Sequence, residues 1–170
     1  WSIVAAAILG VIFGLFRVSP SLFLRLLGRA YVEFVRNMPP LVFIFIFYFF
    51  LSDQIMPLIG AEDFVHHASP TAISIVEVLF GQANLFANFL SGLMCLALFE
   101  GAYVTEIVRA GIQSVPRGQW EAGTSIGLTR FQLLRYVVMP QAIQKIVPPL
   151  CNQFIQTIKD SSIVSLISIQ

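Results

Sequence analysis

The chain has 170 residues, 57% of them hydrophobic and only 11% Asp, Glu, Lys or Arg, where a soluble globular protein carries roughly 25% charged residues. With a mean hydropathy of +0.83, so few charges cannot cover a water-soluble ball of 18.9 kDa, and much of the surface must face lipid. The net charge of +1 leaves no basic footprint for a nucleic-acid partner. Cys95 and Cys151 each sit in an apolar stretch, so they form no disulfide framework and are expected to be buried, inert thiols.

The segment from Trp1 to Phe16 carries no charge. No basic region precedes it and no small-residue cleavage site follows, so it is not a signal peptide. Residues Ser161 to Gln170 are again largely apolar and lack a charged tail, and the chain reads as an internal piece of a longer membrane protein. Lys and Arg fall in two blocks. The first holds Arg17, Arg25, Arg29 and Arg36; the second holds Arg109, Arg117, Arg130, Arg135 and Lys145. The interval between carries Asp53, Glu62, Asp63 and Glu77 instead. Positive residues mark the cytoplasmic side of a bilayer protein. This places 17–36 and 109–145 at the cytoplasmic face and 52–84 outside. A membrane core about 30 Å thick needs about 20 helical residues. The expected spans are 1–16 (incomplete, running inward), 31–51 outward, 85–106 inward and 142–158 outward. The apolar runs are long and lack polar alternation, which favours helices over strands.

In the second span, residues 41–51 read LVFIFIFYFFL, with Pro39 and Pro40 at the cytoplasmic end, a first-turn or kinked position. The outside segment 52–84 is expected to hold one short interfacial helix over 72–80. His66 and His67 lie in it with no ligand pattern around them, and a solvated loop is preferred to a metal site.

The cytoplasmic loop has legible local physics. Pro116 starts a helix, with Glu121 near its N-terminal turns, where negative charge suits the helix dipole. Gly127 can close that helix in the left-handed conformation. Thr129 can cap a second helix, and Pro140 ends it or kinks it into the next span. The result is a short helix–turn–helix. Its apolar residues Trp120, Ile126, Leu128, Phe131 and Leu134 serve either packing on the bundle or docking of a cytoplasmic partner, and composition does not choose between the two.

This loop resembles the EAA loop of permease subunits in binding-protein-dependent ABC importers. That motif has Glu-Ala-Ala, a Gly four residues after the last Ala, then nine residues before Ile-x-Leu-Pro. Glu121, Ala122, Gly123, Gly127, Val137, Met139 and Pro140 occupy those positions at the same spacing, with Gly123, Val137 and Met139 as the departures. The stretches YVEFVRNMPPLV at 31–42, GAYVTEIVRAGIQSVPRGQWEA at 101–122 and PQAIQKIVPPLCNQFIQTIKDSSIVSLI at 140–167 resemble the polar amino acid members of that family.

The resemblance implies an all-α, type I ABC importer permease bundle. About four spans would be present, the first incomplete and a last one missing, with a cytoplasmic coupling helix in the loop 109–141, all in a single transmembrane domain over 1–170. It implies a multi-pass subunit of a bacterial inner membrane, paired with an identical or homologous permease. Its partners would be a cytoplasmic ABC ATPase dimer, an external solute-binding protein and membrane lipid. ATP and Mg²⁺ would sit on the ATPase, which does the hydrolysis. This chain would bind no cofactor and no metal and would hold no catalytic residue: it has no Walker A sequence and no nucleophile–base constellation.

Ionisable residues at membrane depth are functional candidates. Lys159 and Asp160 end the fourth span after Asn152, Gln153, Gln156 and Thr157, and Asn152, Gln156 and Lys159 or Asp160 share one broad helix face. Lys159 and Asp160 could receive the two ends of an amino acid zwitterion, or pair with each other to stabilise the bundle. Glu100 could line the pathway or reach the cytoplasmic surface. Glu106 and Arg109 are one turn apart and are expected to pair. A secondary transporter would share the spans and charge asymmetry, but would have no reason to carry the EAA loop.

Overall fold

A computed structural model describes residues 1–51, 54, 55, 57, 73 and 86–168. The segment expected to lie outside, its helix at 72–80 and His66 and His67 fall almost entirely outside the described residues. Among those described there is no strand.

The elements in chain order are α1 (Ser2–Val18), α2 (Leu22–Arg36), α3 (Pro40–Ile46) with a π-helical continuation Phe47–Leu51, and α4 (Phe86–Gln113). Then follow α5 (Arg117–Ser125), α6 (Arg130–Leu133), a π-helical stretch Leu134–Val138 and α7 (Met139–Ser168). Among the described residues, one helix by itself has the length and apolarity to cross a membrane, over Asn88–Gln113. α1 is apolar but only 17 residues long, about 26 Å at 1.5 Å per residue.

The expected span 31–51 is not one straight helix. The chain breaks at Asn37–Pro39, and Leu22–Arg36 and Pro40–Leu51 meet at 104°. The physical reason is the Pro39–Pro40 pair. Pro40 pushes the residue before it out of the α region, and Pro39 takes up φ −58°, ψ 142°. The helix over the last expected span, 142–158, runs further, over Met139–Ser168. Pro148 and Pro149 lie inside it, and neither can donate to the carbonyl four residues back.

The most extensive helix contact among the described residues joins α1 to α4. Ala6, Gly10 and Gly14 recur every four residues on α1 and are buried on the side that meets Gly101, Val104 and Val108 of α4. A Cβ on Gly10 would run into the Val104 side chain, and one on Gly14 would come to 2.7 Å from Val108 Cγ1. Lipid tails are as apolar as leucine, so helices in a membrane gain little from hiding apolar surface and associate by close backbone approach. Tyr31 of α2 locks onto this pair. Its hydroxyl donates to the Leu98 carbonyl at 2.6 Å, and its ring lies 4.6 Å from that of Phe13. α7 packs on α4 as well, with Gly111 against Ile146.

Two apolar clusters result. One gathers Phe43, Ile44 and Phe47 around Cys95, Leu96 and Phe99. The other gathers Val108, Ile112, Leu133, Val138, Ala142 and Ile146. Cys95 belongs to the first and is buried, as expected, whereas Cys151 is exposed. Cys151 lies on the outward side of α7, where Ile143, Val147, Ile155 and Ile158 are also exposed. With Phe23, Phe34, Phe45 and Phe50 exposed as well, this surface is far more apolar than a protein in water carries.

The seam predicts that Gly10→Ile, which overpacks it, lowers the stability of the detergent-solubilised protein by about 1–3 kcal/mol. Gly118 has open space around its Cβ position, so Gly118→Ala leaves stability unchanged or raises it by about 0.5 kcal/mol. Thermal denaturation followed by size-exclusion chromatography checks both; equal loss in the two variants contradicts the seam.

Candidate functional site

The loop between α4 and α7 is built by its helix ends. Pro116 stands before α5 in an extended conformation, φ −55° and ψ 140°. At the other end Gly127 has φ +82°. The Leu128 N–H donates to the Gly123 carbonyl at 3.1 Å and the Gly127 N–H to the Thr124 carbonyl at 3.0 Å. These are the paired bonds of a Schellman stop, which need the left-handed residue that glycine supplies. Two residues later Thr129 and Gln132 form a capping box. The Thr129 N–H donates to Gln132 Oε1 at 2.9 Å, and the Gln132 N–H to Thr129 Oγ1 at 3.4 Å. The chain therefore stops one helix and starts the next within four residues, with backbone and side-chain bonds satisfied locally.

The inner side of this unit rests on Leu133. A Cβ on Gly123 would strike Leu133 Cδ1, and both residues are buried. Gly123 is thus the point where α5 comes close enough to pack on α6. The side chain of Gln141 donates to Gln119 Oε1 at 3.2 Å and to the Val137 carbonyl at 2.9 Å, tying α5 to the start of α7. The side chain of Lys145 donates to the Ser114 carbonyl at 2.8 Å, which closes the end of α4.

The outer side is free. Glu121, Ala122 and Pro140 are exposed, as are Ile126 at 76% and Phe131 at 69%. The Glu121 carbonyl accepts from Thr124 Oγ1 and Ser125 Oγ at 2.8 and 2.9 Å. Val137 and Met139 are half-buried at the base. The apolar residues of the loop therefore divide between the two uses. Trp120, Leu128 and Leu134 pack towards the bundle, whereas Ile126 and Phe131 face outward. Leu133, which holds the unit together, was not singled out from the sequence. Its place five residues beyond Leu128 gave no signal until the turn at Gly127 was formed.

Within the bundle, α4 and α7 enclose a polar cluster. Glu100 is completely buried. Its Oε2 accepts from Gln153 Nε2 at 2.6 Å, and its Oε1 has no hydrogen-bond partner among the described residues. Asp160 is 7% exposed and accepts from Gln156 Nε2 at 3.4 Å. Glu100 therefore faces inward and does not reach the cytoplasmic surface.

The shared face expected for Asn152, Gln156 and Lys159 or Asp160 splits. Asp160 turns into the bundle with Gln153 and Thr157, while Asn152, Gln156 and Lys159 are exposed. Adjacent helical residues point about 100° apart, so Lys159 and Asp160 do not meet, and Lys159 has no ion pair among the described residues. Asn152 and Gln153 instead border a cleft of about 580 Å³ that also takes in Arg36, Tyr103, Glu106 and Lys145. The Arg36 guanidinium lies 5.2 Å from the centre of the Tyr103 ring. Glu106 binds Arg109, as expected from their spacing, and Arg17 of α1 joins them at 3.3 Å.

A family model described as "Binding-protein-dependent transport system inner membrane component" matches residues 6–169. The chain is similar to the "Probable glutamine ABC transporter permease protein GlnM" of Bacillus subtilis (strain 168). The two are 35% identical over 170 residues, covering 98% of this chain and 66% of that one. It is also similar to the "Glutamate/aspartate import permease protein GltJ" of Escherichia coli (strain K12), at 37% identity over 169 residues, 98% of this chain and 61% of that one. Among solved structures it matches a chain of the "Crystal structure of an amino acid ABC transporter with histidines" with a TM-score of 0.70 and 32% identity. That match covers 98% of this chain and 64% of that one. The chain thus spans 61% to 66% of the length of these curated relatives.

The turn geometry predicts that Gly127→Val, which forces a β-branched residue into the left-handed region, costs about 1–2 kcal/mol locally. The variant inserts in membranes at the wild-type level, but limited proteolysis cuts near 127 several-fold faster. An unchanged cutting rate contradicts the Schellman stop.

Proposed function

The chain belongs to the family of binding-protein-dependent transport system inner membrane components, and from that premise we propose that it is the permease part of an ATP-driven importer of polar amino acids. It works beside a second permease, identical or homologous. A cytoplasmic ABC ATPase dimer, which binds ATP and Mg²⁺, drives it from below, and an external solute-binding protein delivers the substrate. The subunit crosses the inner membrane several times, with α5 on the cytoplasmic side. Relatives named for glutamine and for glutamate/aspartate support the amino acid class.

The observation that carries the reading is α5 itself. A helix of nine residues is stopped by Gly127, braced through Gly123 on Leu133, and tied to α7 by Gln141. Glu121, Ala122, Ile126 and Phe131 are left exposed on it and beside it. An element that passes motion from an ATPase to the spans must be rigid and anchored, and the helix stop, the Gly123–Leu133 contact and the Gln141 tie support that use of α5. Val137, Met139 and Pro140 form the base through which displacement reaches α7. Rigid-body rocking of packed helices then alternates access.

For the pathway, we place substrate contact on the α4–α7 polar cluster. Buried carboxylates at membrane depth are costly and are kept where they meet substrate, ion or water. Glu100 and Asp160 supply negative charge for an ammonium group, and Gln156 and Asn152 supply hydrogen bonds along α7. Lys159, exposed on a separate side of α7, supplies positive charge where the second permease packs.

The test is uptake by the complete transporter in proteoliposomes. Radiolabelled glutamine or glutamate enters only with ATP inside, the ATPase subunit and the binding protein; uptake driven by an ion gradient without ATP overturns the proposal. For the pathway, Glu100→Gln and Asp160→Asn keep the amount of assembled transporter within about twofold and lower uptake at least about tenfold, the loss of one charged hydrogen bond. A fall in assembly that matches the fall in uptake overturns the pathway placement.

A further inference from the structure

A second cleft opens at the cytoplasmic end of the bundle, away from the polar cluster. It measures about 590 Å³ and lies where the end of α1, the start of α2, the end of α4 and the start of α5 converge. Arg17, Arg25 and Arg117 line it together with Ser19, Gln113 and Trp120, and among the described residues no acidic one does. Arg17 is balanced by Glu106 at 3.3 Å. Arg25 and Arg117 have no ion-pair partner among the described residues. The cleft therefore carries uncompensated positive charge in a concave site. α2 begins beside it with no side-chain cap on its first turn, and the positive end of that helix dipole adds to the field.

The surroundings say what kind of anion fits. Leu22, Phe23 and Leu26 of α2 are exposed at 61%, 71% and 54%, and Leu22 lies one helical turn before Arg25. A basic cleft thus adjoins an apolar helix surface at the cytoplasmic boundary, with a tryptophan in its wall. Tryptophan is favoured at the headgroup level of a bilayer, and basic pockets between helices on the cytoplasmic side suit anionic headgroups.

We propose that this cleft is a binding site for an anionic glycerophospholipid of the inner leaflet. Arg25 and Arg117 hold the phosphate, and the acyl chains run along Leu22, Phe23 and Leu26. The headgroup bridges the α1–α2 junction to Arg117, the first residue of α5. The lipid thereby anchors the base of the proposed coupling helix. Lipid binding at this site does not require that α5 couples to an ATPase, so it stands or falls separately from that reading.

The experiment is native mass spectrometry of the full-length transporter complex in detergent with added phosphatidylglycerol or phosphatidylcholine. Phosphatidylglycerol is retained in preference, and R25Q/R117Q weakens its binding about tenfold or more, as expected for two basic side chains at the membrane surface. R130Q/R135Q removes the same charge elsewhere and leaves retention unchanged. Equal retention by R25Q/R117Q and wild type overturns the proposal. Displacement of the lipid by millimolar inorganic phosphate, which is itself retained, assigns the cleft to a free anion and also overturns it. Loss of the ATPase subunit from R25Q/R117Q with lipid retention intact makes the cleft a protein contact, with the same consequence. If R25Q/R117Q does not fold, R25Q alone, on the exposed start of α2, is expected to lower retention about fivefold; no change there overturns the proposal equally.

Discussion

Apolar surface gives a membrane helix little reason to prefer a neighbouring helix to lipid, so this bundle depends on how closely two backbones can approach. The α1–α4 seam meets that constraint with Ala6, Gly10 and Gly14 against Gly101, Val104 and Val108. Much else follows from it. The close approach brings Arg17 within reach of Glu106 and lets Tyr31 bridge from α2 to the Leu98 carbonyl. Where α7 docks on α4 through Gly111 and Ile146, Glu100 meets Gln153.

The loop between α4 and α7 answers a different constraint. It must hold its shape without burying much of itself. It does so through end-caps, each worth about 1 kcal/mol, and through the contact of Gly123 with Leu133. Because its own stability is locally satisfied, its outward residues are spared from packing. Ile126 and Phe131 remain exposed beside Glu121 and Ala122, an apolar patch with a charge at its edge. Such a patch suits a protein partner better than it suits water.

Most of this loop was legible in the sequence, because its structure is local. Gly127, Thr129 and Pro116 each act through the backbone within a few residues, and the helix stop, capping box and helix start lie where those residue types put them. The all-helical character was legible from the uninterrupted apolar runs. The relation of Lys159 to Asp160 was not. Their roles depend on which side of α7 meets α4, and that is decided by Gly111 against Ile146, a contact between residues 35 positions apart. The break in the expected span 31–51 had its signal in Pro39–Pro40, but its size depends on how α3 packs on Phe99. The third member of the Glu106–Arg109 pair, Arg17, lies on another helix and only the fold could add it.

On the proposed reading, α5 and the turn and helix that follow it present one prepared face to an ATPase subunit while the other face is committed to the bundle. Cross-linking tests it most directly. Single cysteines are placed at Ile126, Phe131, Leu133 or Trp120 in a full-length subunit whose Cys95 and Cys151 are replaced by serine, and the subunit is co-expressed with its ATPase. A short thiol-to-amine cross-linker is expected to join permease to ATPase from positions 126 and 131, and not from 120 or 133. Cross-links of equal yield from 133, or none from 126 and 131, would contradict the account.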